Sequence, residues 1–247
     1  MAVLKLSLII PAYNEEQFLQ QLLEKLISVP FLEHGYTPEI LIINDGSKDK
    51  TWDIARSFLA SHPEIDIRYF EDVNHGKGYA VKQGFVHATG DVMVIQDADL
   101  EYDPFDLLEG VKKLQENNLD VLYGSRIRGF TRHGFTYSTV PFLLWGIVVS
   151  LCASLAGGKL ITDEPTCYKM FTKKCKSLLL LPTENGFERE PAATIAVLRA
   201  WCTYSERPIR YFPRKVTAGK KIKFSDGWKA LRTIWKRAWK KLPVREV

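Results

Sequence analysis

Short apolar runs and helix-period segments alternate along the first half of the chain. Val3–Ile10 reads as a buried strand, and Glu15–Ser28 places Phe18, Leu19, Leu22, Leu23 and Leu26 at helical spacing. Glu39–Asn44, Ile65–Phe70, Asp91–Gln96 and Asp120–Tyr123 read as further strands. Helices over Lys50–Ser61, Gly78–Ala88 and Pro104–Asn117 separate them. Pro104 suits a first helical position, where its missing N–H is not needed. Strand–helix alternation with short connections predicts an α/β fold, a mostly parallel sheet covered by helices. In such sheets ligands bind beyond the carboxyl ends of the strands.

After Arg126 the pattern changes. Ser125–Tyr137 is basic and contains glycine, so it reads as a loop, and Val140–Gly158 is a run of 19 residues without a charge. A polar loop (Thr162–Thr166), a helix (Glu188–Trp201), a strand (Ile209–Phe212), a basic loop and a helix over about Asp226–Leu242 follow. The uncharged run meets the length of a membrane span, ~18 apolar residues. Pro141, Gly146, Ser150, Ser154 and Gly157-Gly158 argue instead for an interfacial or buried helix. A single span would also separate Asp97 from Arg214 across the bilayer, although their motifs belong to one site. The terminal helix gathers Trp228, Leu231, Trp235, Ala238, Trp239 and Leu242 on one side, with Lys229, Arg232, Lys236, Arg237, Lys240 and Lys241 on the rest. Tryptophan on one face and Lys/Arg on the other marks a helix lying in a membrane surface.

Charge sharpens that division. From Glu206 onward there are 14 Lys/Arg against three acidic residues, a net +11, which leaves −6 for the remainder of a chain whose total is +5. A basic end on an acidic body implies a polyanionic partner. The basic residues lie on one amphipathic helix and no nucleic-acid-reading motif is present, so anionic lipid is the expected partner and nucleic acid is not. Cys152, Cys167, Cys175 and Cys202 form neither a CxxC pair nor a metal-ligand spacing and read as reduced thiols. The N-terminal MAVLKLSLII runs directly into a strand and does not read as a signal peptide.

Polar motifs stand at successive strand ends. Asp97-Ala98-Asp99 follows the fourth strand, and two carboxylates one residue apart can hold a hard divalent cation together with substrate phosphates. Glu101 can complete the shell. Pro11-Ala12-Tyr13-Asn14-Glu15 offers a ring to stack on a base and a carboxylate for a ribose or base edge. Asn44-Asp45-Gly46-Ser47 offers Asp45 to a base. Asn74-His75-Gly76-Lys77-Gly78 opens a helix whose start favours anions, which assigns Lys77 to the nucleotide-sugar side. The chain has no Walker loop, and no GxGxxG opens its first helix.

These motifs, with GSR (Gly124–Arg126), ITDEPTCYKMF (Ile161–Phe171), GFEREP (Gly186–Pro191) and RPIRYFPRKVTAGKKIKFSDG (Arg207–Gly227), resemble the family 2 glycosyltransferases of the GT-A fold. Within that family the chain is most similar to the dolichol- and polyprenyl-phosphate sugar synthases. The resemblance implies inverting transfer of a hexose from a nucleotide diphosphate sugar of GDP-mannose or UDP-glucose type to a polyprenyl or dolichyl phosphate. It implies Mg²⁺ or Mn²⁺ as cofactor and a peripheral place at the cytoplasmic membrane face. Pro11, Tyr13, Glu15, Ile43 and Asp45 would contact the nucleoside. Asp97, Ala98 and Asp99 would face diphosphate and metal, with Glu101 standing where many relatives carry Gln. Arg126 would meet the acceptor or sugar phosphate, and Arg214 with Lys220 or Lys221 would clamp phosphates.

By this reading residues 1–227 form the catalytic domain, 1–126 its nucleotide-sugar and metal half and 127–227 its acceptor half, and residues 228–247 the membrane-surface helix. A phosphate acceptor needs no strong base. Glu188 and Glu190 are the spare carboxylates, for sugar hydroxyls or, if the acceptor is an alcohol, for base catalysis. A hydroxyl-acceptor glycosyltransferase and a non-catalytic sugar-nucleotide or lipid-binding module are the alternatives.

Overall fold

The computed structural model describes residues 3–214 and 224–240. Among them a seven-stranded sheet has the order β3-β2-β1-β4-β6-β5-β7. The strands are β1 (Leu4–Ala12), β2 (Tyr36–Asp45), β3 (Asp66–Asp72), β4 (Val92–Ile95), β5 (Val121–Ser125), β6 (Lys169–Thr172) and β7 (Tyr204–Pro208). All pairings are parallel except those of β6, which runs antiparallel to both β4 and β5. Leu6, Leu8, Ile9 and Ile10 of β1 are fully buried, as an apolar strand covered on both faces requires. The helices are α1 (Leu19–Ile27), α2 (Thr51–Ser61), α3 (Lys77–His87), α4 (Asp106–Glu116), α5 (Arg126–His133), α6 (Val140–Gly157), α7 (Lys176–Leu180), α8 (Arg189–Arg199) and α9 (Phe224–Ala238).

Three local expectations are corrected. Ser125–Tyr137 is not a loop. Ser125 accepts the Arg128 N–H as an N-cap, and that starts α5. The last strand lies at Tyr204–Pro208, and of Ile209–Phe212 only Tyr211 pairs, in an isolated bridge to Tyr102. Polar Tyr-Ser-Glu-Arg-Pro hides its strand character because Glu206 is buried, accepting from Thr162 N–H, Thr162 Oγ1 and Tyr204 Oη. Helix α4 begins at Asp106, two residues after Pro104. The four-residue β6 is too short for its period to be read.

At the amino end of the sheet, β2 carries the fully buried Glu39. It binds Lys5 at 2.8 Å and accepts from Arg68, Ser7 and Thr89. Burial alone would raise its pKa, but these partners pull it down to about 2. A depressed carboxylate stabilises the fold above its unfolded pKa and loses that contribution as pH falls through the folded value. Stability should therefore fall between about pH 4.5 and pH 2. Glu39→Ala should cost about 1–3 kcal/mol by denaturant titration, because Ser7, Thr89 and Gly90 lose their buried acceptor, while Lys5 and Arg68 keep Asp66 and water. A loss below 1 kcal/mol would contradict this.

Helices α6, α8 and α9 pack on one another. Gly227 lets α9 close on α6, since a Cβ there would lie 1.3 Å from Trp145 Nε1. On α9, Asp226, Ala230, Thr233, Ile234 and Arg237 are buried, and Trp228, Trp235 and Trp239 are 67%, 68% and 75% exposed. Arg237, expected on the basic outer face, instead turns inward and forks onto Glu184 at 2.7 and 2.9 Å. Helical geometry sets the tryptophan stripe between the α6-facing side and a basic stripe of Lys229, Arg232, Lys236 and Lys240. The outer face of α6 exposes Val140, Leu144, Ile147, Val148, Leu151 and Leu155. Helix α6 is long and apolar enough to cross a membrane by length and composition.

Candidate active site

Parallel pairing brings the ends of β1, β2 and β4 to one level, with Pro11 opposite Ile43, Ala12 opposite Asn44 and Ile9 opposite Ile95. Beyond these ends lies a cavity of about 410 Å³. Pro11, Tyr13, Glu15, Asp45, Lys77, Asp97, Ala98, Asp99, Glu101, Arg126 and Arg214 all line it. Ile43 does not, being buried in β2. Lys220, Lys221, Lys241 and Leu242 lie outside the described residues.

The loops around the cavity hold one another. Asn14 N–H donates to Ser47 Oγ, and Asn14 Oδ1 accepts from Lys48 N–H. Glu15 N–H donates to Thr51 Oγ1. Asp45 spends both carboxylate oxygens on the loop opening α3, accepting from His75 and Gly76 N–H at 2.8 Å each. Gly76 is required there, with φ +107° and only 2.7 Å between a notional Cβ and Asn185 O. Asp45 thus fixes the loop that opens α3 against the end of β2, and burial raises its pKa.

Basic side chains meet the acidic floor. Lys77 Nζ lies 2.8 Å from Asp97 and 3.3 Å from Glu190. Arg214 lies 2.8 Å from Asp99 and 3.5 Å from both Glu15 and Glu101. Glu101 also accepts from Tyr211 Oη at 2.7 Å. Burial, then the charges of Asp97 and Glu101, push Asp99 up to about 7. Arg126 is forked onto Asp163 at 2.7 and 2.8 Å and sits 5.1 Å from the rings of both Tyr137 and Tyr211. Of the two spare carboxylates, Glu190 lines the cavity and Glu188 folds back beside Gly186.

Among the described residues no cluster of three or more His, Cys, Asp or Glu is gathered around a common point. Asp97 and Asp99 nevertheless fit a hard divalent ion. They are oxygen donors on the cavity wall, and each already draws a protein cation to itself. Helices α6 and α9 add Phe142, Trp145, Val149 and Ala230 to the lining, together with the carboxylate of Asp226.

The profile of glycosyl transferase family 2 matches residues 7–174. The chain belongs to glycosyl transferase family 2. It is 30% identical over 215 residues to dolichyl-phosphate beta-glucosyltransferase ALG5A of Trichomonas vaginalis, covering 83% of this chain and 65% of that protein. It is 34% identical over 195 residues to the dolichyl-phosphate beta-glucosyltransferase of Drosophila melanogaster, covering 68% and 57%. The chain thus spans less than two thirds of the length of either relative. Glucosyl-3-phosphoglycerate synthase from Mycobacterium tuberculosis, solved with Mn²⁺, UDP and glucosyl-3-phosphoglycerate, superposes with a TM-score of 0.69 at 18% identity, over 99% of this chain and 82% of that one. The likeness confirms the GT-A fold.

Several groups of this family 2 site escape sequence reasoning. Asp163, which fixes Arg126, sits 37 residues away from it in the chain. Lys169 and Glu164 are buried behind Glu190, with Lys169 Nζ 2.6 Å from Glu190 and 3.6 Å from Glu164. A charged residue inside an apolar strand (Lys169 in Tyr-Lys-Met-Phe) is the one signal that marks a buried ion pair.

Proposed function

We propose that this chain transfers a hexose, with inversion, from a nucleotide diphosphate sugar to a polyprenyl or dolichyl phosphate at the cytoplasmic face of a membrane. The observation that carries this reading is the mixed lining of the cavity. Charged side chains at the strand termini share it with Phe142, Trp145 and Val149 of α6 and Ala230 of α9, and the outer faces of these two helices expose aliphatic and tryptophan side chains. Such a neighbourhood suits a phosphate carried on a lipid. The relatives named for dolichyl-phosphate glucosyl transfer support the same acceptor class.

Tyr13 and Glu15 would meet the nucleoside, and Lys77 and Arg214 the diphosphate. Asp97 and Asp99 would hold a divalent cation, Mg²⁺ or Mn²⁺, which when bound would supply further charge stabilisation for the departing diphosphate. One acceptor phosphate oxygen forms the new bond to the anomeric carbon as the bond to the diphosphate breaks, and the electron pair leaves with the diphosphate. The attacking oxygen is already anionic, so the enzyme aligns and screens rather than abstracting a proton. Arg126, forked onto Asp163 beside Tyr137 and Tyr211, would orient the acceptor phosphate.

Calorimetric titration with UDP-glucose and GDP-mannose tests the donor side, and NMR of the product tests inversion. An α-linked donor should give a β-linked product. Retained configuration, or no binding of any nucleotide sugar, would overturn the reading.

A further inference from the structure

Asp97 is gripped by a protein cation more fully than phosphate binding alone would call for. Lys77 Nζ reaches both of its oxygens, at 2.8 and 3.0 Å, while standing 3.3 Å from Glu190. Glu190 is tied at 2.6 Å to Lys169, and Lys169 lies 3.6 Å from Glu164. Charges therefore alternate along a chain of five groups from the cavity wall into the core. Its inner end is fixed, because Lys169 and Glu164 are buried. Its outer end can move: the side chains of Lys77 and Asp97 are 21% and 18% exposed, and a lysine stem is flexible.

We infer that Lys77 is a built-in competitor for the cation position at Asp97, and that Glu190 is the positioning residue onto which its ammonium swings when cation and diphosphate enter together. The inference rests on the reading of Asp97 and Asp99 as cation-holding carboxylates. A bare cation has to displace an existing ion pair and leave the lysine charge beside its own. A nucleoside diphosphate changes that balance, because it offers the displaced ammonium new oxygen partners. Glu190, kept in place by Lys169, gives the ammonium a second carboxylate within reach, so the exchange needs only a short swing. Cation and nucleotide should then bind far better together than apart, and the acidic floor should resist loading by the metal alone. Arg214 on Asp99 repeats the arrangement on the second carboxylate.

The test is Mn²⁺ affinity of the full chain, read from the electron paramagnetic resonance signal of free Mn²⁺, with and without UDP. Lys77→Met should bind Mn²⁺ alone at least about fivefold more tightly than wild type, within the usual range of coupling between sites. The enhancement conferred by UDP should shrink by a similar factor. Glu190→Gln should weaken Mn²⁺ binding when Lys77 is present and should lose most of that effect in the Lys77→Met background. Lys77→Gln replaces the methionine variant if thermal melting shows the latter unfolded. Asp97→Asn separates the two layers of the argument. Unaltered Mn²⁺ binding in that variant would overturn the cation site itself. Loss of Mn²⁺ in Asp97→Asn without a gain in either Lys77 variant would overturn the competitor role and leave the site standing.

Discussion

Asp99→Ala should leave the protein folded and reduce sugar transfer by at least about a thousandfold, the scale of removing a preorganised group that stabilises transition-state charge. Asp99 stands beyond the end of β4, outside the apolar core. Its main partner Arg214 keeps Glu15 and Glu101 after the change, so no buried cation is stranded. EDTA should abolish transfer as completely, and added Mn²⁺ or Mg²⁺ should restore it. Thermal melting beside a radiolabel transfer assay separates folding from chemistry. Full turnover in chelator, or an active Asp99→Ala variant, would remove the metal from the account.

Changing Trp228, Trp235 and Trp239 together to alanine should release the protein from anionic vesicles, lowering its partition by at least about a hundredfold. Burying a large apolar side chain is worth roughly 1.5–3 kcal/mol, so three of them outweigh that factor even when only part of each ring enters the lipid. The neighbouring Lys229, Arg232, Lys236 and Lys240 add attraction of about 1 kcal/mol per basic residue near an anionic surface. Wild-type binding should therefore also weaken as salt rises, since charge is screened over roughly 8–10 Å at physiological strength. Donor binding should survive the triple change, because the three rings are mostly exposed and only Trp228 touches a cavity-lining side chain, Trp145, away from the strand ends. Co-sedimentation equal to wild type would shift the docking role to the aliphatic stripe of α6. Joint loss of fold and donor binding would mean that the tryptophans are packing residues.

The first half of the chain is legible from its sequence for a physical reason. Strands β1, β2 and β4 carry unbroken apolar runs, so their ends stand out, and every motif chosen there sits at a strand end that the fold brings together. The second half hides its elements. Helix α5 is nearly all polar or basic, β6 is short, and β7 carries Glu206 as a buried structural charge. Pair partners were equally invisible. Arg126 announces itself within Gly-Ser-Arg, but nothing local reveals that Asp163 takes its fork or that two tyrosine rings lie beside it. Asp45, read as a base contact, lines the cavity, but nothing local reveals that it also accepts the His75 and Gly76 amides. On α9 the amphipathic pattern placed the tryptophans outward correctly. It could not show that Arg237 leaves the basic face for Glu184, since that ion pair bridges residues 53 positions apart.

The acceptor decides the account. With a labelled nucleotide sugar that the protein binds, polyprenyl phosphate and the matching polyprenol are offered in parallel at equal concentration, and label entering the lipid phase is counted. Transfer to the phosphate alone, at least about a hundredfold above the alcohol, is the predicted result, because an anionic phosphate oxygen attacks without a base while Arg126 and the basic groups around Asp97 and Asp99 favour an anion. Equal labelling of both lipids would contradict it and make the chain a hydroxyl-acceptor glycosyltransferase.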